Sequence, residues 1–155
     1  MNARSPYRVG MLAALVASLM IVAVASPAGA SIAAGRLKLS GSVNGTVSLV
    51  RAVCNSPVAI AKHAFFFDLG GTSGGKTFLL TATVAHYTRP KTYTGFTGLI
   101  EISGRIFTGH ATGSVTIGSG SKSATLRMTM KTPPGAPAGT ATVAGAFSCT
   151  ATTNA

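Results

Sequence analysis

Acidic residues are nearly absent from this sequence. Its 155 residues contain two acids, Asp68 and Glu101, against 13 Lys and Arg, so the formal net charge is +11. A calcium site needs several oxygen ligands, many of them carboxylates, and two acids cannot supply such a cage. The same scarcity argues against mechanisms that depend on paired carboxylates. A hydrophobic content of 46% is nevertheless too high for a disordered chain.

Helical periodicity is also missing after residue 30, whereas strand-like alternation recurs throughout. In residues 122–131 the apolar side chains fall on every second position, which is typical of a half-buried strand. The predicted strands are residues 37–43, 46–53, 58–69, 76–87, 96–103, 105–117, 122–131 and 140–150. The Asn44-Gly45 pair predicts a hairpin turn, although residues 37–53 would also fit one long strand with a bulge at Gly45. The triple-Phe segment predicts a strand that is buried on both faces.

About seven or eight short strands separated by turn clusters predict an all-β domain. We expect an antiparallel β-sandwich of the immunoglobulin-like kind, with a small β-barrel as the alternative.

The first thirty residues have the three parts of a secretory signal peptide. Arg4 and Arg8 precede an uncharged apolar stretch, and Ala28-Gly29-Ala30 supplies small residues for cleavage after Ala30. The alternative is a retained membrane anchor. Cleavage would leave residues 31–155 as a single β domain, secreted or held outside the cytoplasm, without a transmembrane segment. Its formal charge would be +9, because Arg4 and Arg8 are lost from +11.

The two cysteines, Cys54 and Cys149, form an even count in a chain predicted to enter an oxidising compartment. We therefore predict a Cys54–Cys149 disulfide that closes nearly the whole domain.

The segment from Gly70 to Thr77 matches two catalytic motifs at once. It fits the phosphate-binding loop G-x-x-x-x-G-K-[ST], and residues 71–75 fit the nucleophile motif G-x-S-x-G around Ser73. Both motifs need a helix immediately afterwards, but residues 77–84 have the pattern of a strand. We interpret the segment as a glycine-rich turn, with a secreted serine hydrolase using Ser73 as an alternative function.

The three histidines, His63, His86 and His110, lack the close spacing of metal ligands. The sequence therefore predicts no metal site and no cofactor.

Residues 86–96 concentrate cations and aromatic rings in a loop between two predicted strands. The candidate ligand-binding residues are His86, Tyr87, Arg89, Lys91, Tyr93 and Phe96. Aromatic faces beside cations bind polyanions, sugars or bases by stacking and charge. The alternative is an ordinary loop whose rings pack back onto the domain. The other basic residues are scattered along the chain, which predicts no specific nucleic-acid site.

A resemblance to a known family rests on the signal peptide, the glycine-rich strands, a cysteine after the opening strands, and a last strand ending Gly145-Ala146-Phe147-Ser148-Cys149. The hairpin around Val115-Thr116-Ile117 and Lys122-Ser123-Ala124 adds to it. This pattern resembles small exported bacterial β-proteins of the mycobacterial lipoprotein-antigen type. The resemblance implies an extracytoplasmic surface protein without a catalytic residue set. The chain lacks the lipobox cysteine, so a lipid anchor does not carry over.

Taken together, the sequence predicts a secreted, basic, non-catalytic surface or binding protein rather than an enzyme. Its expected partners are anionic cell-envelope polymers or acidic lipids. An inert structural β-protein is a further alternative.

Overall fold

The structure is a computed structural model that describes residues 34–55 and 63–152. The predicted signal peptide and its cleavage position lie outside the described residues, as does the first part of the predicted strand 58–69. Within the described ranges there is no α-helix, and a single turn of 3₁₀-helix covers Ser119–Ser121. The same ranges contain no helix whose length and hydropathy would let it cross a membrane.

Ten strands account for most of the described chain. They are β1 (Gly35–Gly41), β2 (Gly45–Asn55), β3 (Ala64–Ser73), β4 (Lys76–Ala85), β5 (Thr92–Tyr93), β6 (Phe96–Ile102), β7 (Arg105–Ile117), β8 (Ser123–Lys131), β9 (Thr140–Ser148) and β10 (Ala151–Thr152).

Eight of these strands close into an antiparallel barrel. Each barrel strand pairs with the next one along the chain, in the order β1-β2-β3-β4-β6-β7-β8-β9, and β9 returns to pair with β1. The short strands β5 and β10 extend the wall, because they pair with the ends of β7 and β2 that β6 and β1 leave unpaired. The all-β prediction is confirmed, and the molecule has the barrel form of it rather than the sandwich. The physical reason is the β1–β9 pairing, which leaves the sheet without a free edge.

The local strand predictions are confirmed closely. Strand β7 has the predicted bounds, and β8 begins one residue later than predicted. A turn at residues 42–44 joins β1 to β2, so the predicted hairpin is correct and the single long strand is not. The register irregularity in β2 lies at Val50, where the pairing with β3 shifts between Leu49 and Arg51.

The core fills the inside of the barrel, because every second residue of each strand points inward. On β8 the inward side chains of Ala124, Leu126 and Met128 are buried, while Arg127 between them is exposed. The largest fully buried side chains are Phe65, Phe67, Phe78, Phe107, Leu37, Leu39, Leu49, Leu69, Leu80, Ile100, Leu126 and Met128. An eight-stranded barrel is just wide enough for its side chains to fill it. Binding sites are therefore to be sought on its outer wall and at its ends.

The predicted burial of both faces of the Phe65–Phe67 segment is wrong for Phe66. The rings of Phe65 and Phe67 are fully buried, but the Phe66 side chain is only half-buried on the outer wall. A barrel strand has one face toward the core and one toward solvent, so a continuous apolar run does not bury all its members.

The predicted disulfide joins Cys54 to Cys149, with a Cα–Cα distance of 5.6 Å. Cys54 lies near the end of β2, and Cys149 directly follows β9. The bond therefore lies at one end of the barrel, which we call the disulfide end. The opposite end, where the β3–β4 turn lies, is called the turn end.

Glycines let neighbouring strands approach closely in the wall of the barrel. A Cβ atom at Gly113 on β7 would overlap the carbonyl oxygen of Arg127 on β8, and the φ angle of Gly113 is +126°. Gly145 on β9 has the same relation to the carbonyl oxygen of Arg36 on β1. Side chains at these positions would push the strands apart and strain the backbone.

Candidate functional site

The loop between β4 and β6 turns its aromatic rings into the disulfide end of the barrel. Tyr87, Tyr93 and Phe96 are all buried. The Tyr87 ring lies 5.2 Å from the ring of Phe65 and 5.7 Å from that of Tyr93, measured between centroids. These rings pack back onto the domain and extend its core, which is the alternative that the sequence left open for this loop. They present no open face for stacking a ligand.

The Tyr93 hydroxyl holds the loop in shape. It accepts hydrogen bonds from the backbone N–H groups of Thr88 (3.1 Å) and Arg89 (3.2 Å) and donates one to the Arg89 carbonyl oxygen (2.6 Å). Burial alone raises the pKa of this hydroxyl, but the two N–H groups and the charge of Lys91 outweigh burial and lower the pKa below its usual 10.0. Tyr93 therefore acts as an internal anchor for the loop.

The remaining predicted residues of the loop, His86, Arg89 and Lys91, are exposed at the disulfide end. The Lys91 ammonium lies 5.0 Å from the centre of the Tyr93 ring, within the range of a cation–π contact. The loop therefore exposes its cations while its rings are buried, so it offers charge without an open aromatic face for stacking.

The glycine-rich segment 70–77 is a tight β-hairpin. Its turn residues Gly74 and Gly75 both have positive φ angles, +56° and +76°, as a two-residue type I′ turn requires. Strand β4 follows immediately, with Ser73 paired to Lys76. The helix that would direct its N-terminus at a phosphate or carry a nucleophile elbow is not formed here.

Ser73 is far from the histidines of the described chain. It ends β3 at the turn end, whereas His63 precedes β3 and His86 follows β4 at the disulfide end. A ten-residue strand separates the two ends by about 30 Å at roughly 3.3 Å per residue. His110 is exposed on the outer wall of β7, while Ser73 is buried. This geometry does not favour a hydrolase based on Ser73.

Two histidines do share a surface cleft. His86 and His110 both line a cavity of about 290 Å³ beside Phe96. Among the described residues, however, no group of three or more His, Cys, Asp or Glu side chains could hold a metal ion.

The closed barrel brings basic residues from distant parts of the sequence onto one face. Strand β9 lies between β1 and β8, and its outward residue Ala144 pairs with Lys38 on one side and Arg127 on the other. Arg36, two residues from Lys38, is exposed on the same wall, as is Lys131 at the far end of β8. Two strand spacings separate β1 from β8, so these rows of cations are about 10 Å apart.

Between these rows the outer face of β9 carries only small, uncharged side chains. We call this surface the β9 strip. Its floor is formed by Thr140, Thr142, Ala144, Ala146 and Ser148, and its flanking cations are Arg36, Lys38, Arg127 and Lys131. Short side chains between longer basic ones make a shallow trough with positive borders.

The two acids lie on the other side of the barrel. Strand β4 is four positions from β9 in either direction around the ring, and Asp68 and Glu101 lie on the strands that flank β4. Asp68 forms an ion pair with Arg51, which offsets that charge locally. The wall that contains the β9 strip therefore carries four of the described cations and neither of the two acids.

Sequence reasoning missed this surface because its residues are scattered along the chain. The alternation in residues 122–131 did place Arg127 and Lys131 on an outer face. The contribution of β1 depends on the β1–β9 pairing, which joins residues about a hundred positions apart and leaves no local signal.

The comparisons with known proteins add no name to this geometry. No protein-family model, no curated protein and no solved structure matches the chain. The resemblance to mycobacterial lipoprotein antigens stays a prediction from the sequence.

Proposed function

We propose that this protein is a non-catalytic binding protein outside the cytoplasm, which associates with anionic polymers of the cell envelope through the β9 strip. The observation that carries the proposal is the separation of charge around the barrel. Four cations border a neutral strip, and both acids lie on strands of the opposite half.

The strip suits an extended anionic chain better than a compact anion. Cations on one strand repeat every second residue, so Arg36 and Lys38 are about 7 Å apart. A linear polyanion can meet several such charges in succession, whereas a single small anion would meet one or two. The guanidinium groups of Arg36 and Arg127 can also form paired hydrogen bonds with a carboxylate or phosphate.

Each of these contacts is weak alone because the side chains are exposed to water. Near an anionic surface each cation contributes about 1 kcal/mol, and salt screens the attraction over about 10 Å at 0.1 M. Three cations together then contribute about 3 kcal/mol, or roughly a hundredfold in affinity at low salt. Binding of this kind is strongly salt-dependent.

An extracytoplasmic location is part of the proposal. The Cys54–Cys149 disulfide supports it, because such bonds persist in oxidising compartments. The predicted signal peptide agrees with the same location.

The test compares two triple variants with equal loss of charge. One replaces the strip cations, Arg36→Ala, Lys38→Ala and Arg127→Ala. Its control replaces three exposed cations on other parts of the barrel, Lys76→Ala, Arg89→Ala and Lys91→Ala. Circular dichroism confirms that each variant is folded before binding is measured.

Binding of the purified oxidised protein is measured by biolayer interferometry on immobilised polygalacturonate, with neutral dextran as the blank, over a series of salt concentrations. We expect the strip variant to lose about a hundredfold in affinity at low salt, and the control to lose only a few-fold. Equal losses in the two variants would mean that net charge alone attracts the polymer. A larger loss in the control would assign binding to the loop at residues 86–96 or to the β3–β4 turn rather than to the strip. Failure of the unmodified protein to bind at low salt would overturn the proposal.

A further inference from the structure

The β9 strip ends in a cavity at the disulfide end of the barrel. Its volume is about 340 Å³, near the lower limit of small-molecule sites. The lining is formed by Ala34, Gly35, Thr116, Gly118, Ser123, Ala124, Thr125, Ala146, Phe147 and Ser148. Ala146 and Ser148 belong to the floor of the strip as well, so the cavity and the strip are continuous.

The lining of this cavity has hydroxyl groups but no charge. Ser123, Thr125 and Ser148 are exposed residues of this lining. Thr116 is held by a hydrogen bond to Thr92, 2.8 Å between their hydroxyl oxygens. A hydroxyl both donates and accepts, so this lining matches an occupant that also carries several hydroxyl groups.

Cations stand beside the cavity without entering it. Arg36 pairs with Ala146 across the β1–β9 register, and Lys122 immediately precedes Ser123 at the start of β8. A neutral recess with charges at its border fits a sugar ring whose acidic group extends toward Arg36. A phosphate chain without sugars would leave the recess filled by water only.

We infer that the β9 strip binds an acidic polysaccharide, with one sugar unit in the cavity and neighbouring acidic groups along the flanking cations. This inference rests on the proposed function and deepens it by naming the class of polymer. A flat bilayer surface would cover the strip but would not fill a recess of this size. Acidic lipid is therefore an outcome of the test rather than the expected partner.

The test uses three anionic probes and one matched pair of variants. The probes are polygalacturonate, inorganic polyphosphate, and vesicles containing phosphatidylglycerol. Thr125→Phe fills the cavity, and Thr77→Phe makes the same change at an exposed position of β4 on the opposite wall. Phenylalanine is well accepted in strands, and neither substitution changes the charge.

We expect the unmodified protein to bind polygalacturonate more tightly than polyphosphate at equal ionic strength, although polyphosphate has the higher charge density. Thr125→Phe should weaken polygalacturonate binding about tenfold, the equivalent of one or two hydrogen bonds, and change polyphosphate binding less than about twofold. Thr77→Phe should leave both affinities unchanged.

Two results would overturn the inference while leaving the proposed function in place. Polyphosphate could bind as tightly as polygalacturonate in a manner that needs the strip cations, or Thr125→Phe could leave polygalacturonate binding intact. A preference for acidic vesicles over both polymers, or absence of binding to either polymer at low salt, would instead overturn the proposed function itself.

Discussion

Replacing Tyr93 with phenylalanine removes one oxygen atom and tests whether the aromatic residues of the 86–96 loop are structural. The hydroxyl makes three hydrogen bonds, to the N–H groups of Thr88 and Arg89 and to the Arg89 carbonyl. A hydrogen bond contributes about 0.5–1.5 kcal/mol net. Thr88 and Arg89 are exposed, so water can replace part of what is lost. We therefore expect the free energy of unfolding to fall by about 1–2 kcal/mol, toward the lower part of the summed range.

The measurement is thermal and urea unfolding followed by circular dichroism. A loss of 1–2 kcal/mol corresponds to a fall in Tm of about 4–10 °C for a domain of this size. The control is Tyr87→Phe, which removes one hydrogen bond, 2.7 Å long, between the Tyr87 and Ser121 hydroxyls. It should cost about 1 kcal/mol or less. Both variants keep their aromatic rings. At a temperature where each variant is folded, its affinity for polygalacturonate should therefore equal that of the unmodified protein.

A Tyr93→Phe variant as stable as the unmodified protein, or a Tyr87→Phe variant less stable than Tyr93→Phe, would refute this prediction. A Tyr93→Phe variant that kept full stability but lost polymer binding would show that the hydroxyl belongs to a binding site.

Three further predictions concern the disulfide, a strand glycine and pH. The double variant Cys54→Ala, Cys149→Ala should have a free energy of unfolding about 4–5 kcal/mol lower, since the bond spans a sequence separation of 95. A loss below about 1 kcal/mol in urea unfolding would contradict this prediction. Gly113→Ala should lower the free energy of unfolding by about 2–3 kcal/mol in the same assay. The control Gly95→Ala should leave it nearly unchanged, because a Cβ atom at Gly95 meets open space. Equal effects of the two substitutions would argue against close packing of β7 on β8. Because its folded pKa is lowered, Tyr93 should ionise before an unfolded tyrosine. Its ionisation therefore adds stability that grows as pH rises through that folded pKa toward 10 and is absent below it, where the hydrogen bonds of the neutral hydroxyl remain. Near-ultraviolet absorbance should show one early tyrosinate that Tyr93→Phe abolishes, and persistence of that early step would assign it elsewhere.

The strands were predictable because alternation is a local property. On β4 the apolar positions Phe78, Leu80 and Val84 are all buried, as their spacing indicates. Closure of the barrel was not predictable in this way. It depends on β9 reaching β1 across nearly the whole sequence, and the same alternating pattern would serve the inner face of a sandwich.

The candidate site was predicted only in part for a related reason. The loop at residues 86–96 is a candidate because its cations and rings are close in sequence. Burial of Tyr87 and Tyr93, however, depends on the cluster they form with Phe65. Conversely, Lys38 and Arg127 are remote in sequence and become neighbours through Ala144 alone. Composition predicts a basic protein, whereas topology decides which of its cations share a face.

The most direct test of the account is to find which wall of the barrel an acidic polymer covers. Backbone amide signals of the isotope-labelled protein can be followed by NMR during titration with short oligogalacturonates at low salt. The account predicts that the largest shift changes fall on Lys38, Arg127 and Ala144, with smaller changes at Thr125 beside the cavity, and that they disappear as salt is added. Changes centred on Arg89 and Lys91, or spread evenly over all exposed cations, would contradict the assignment of binding to the β9 strip.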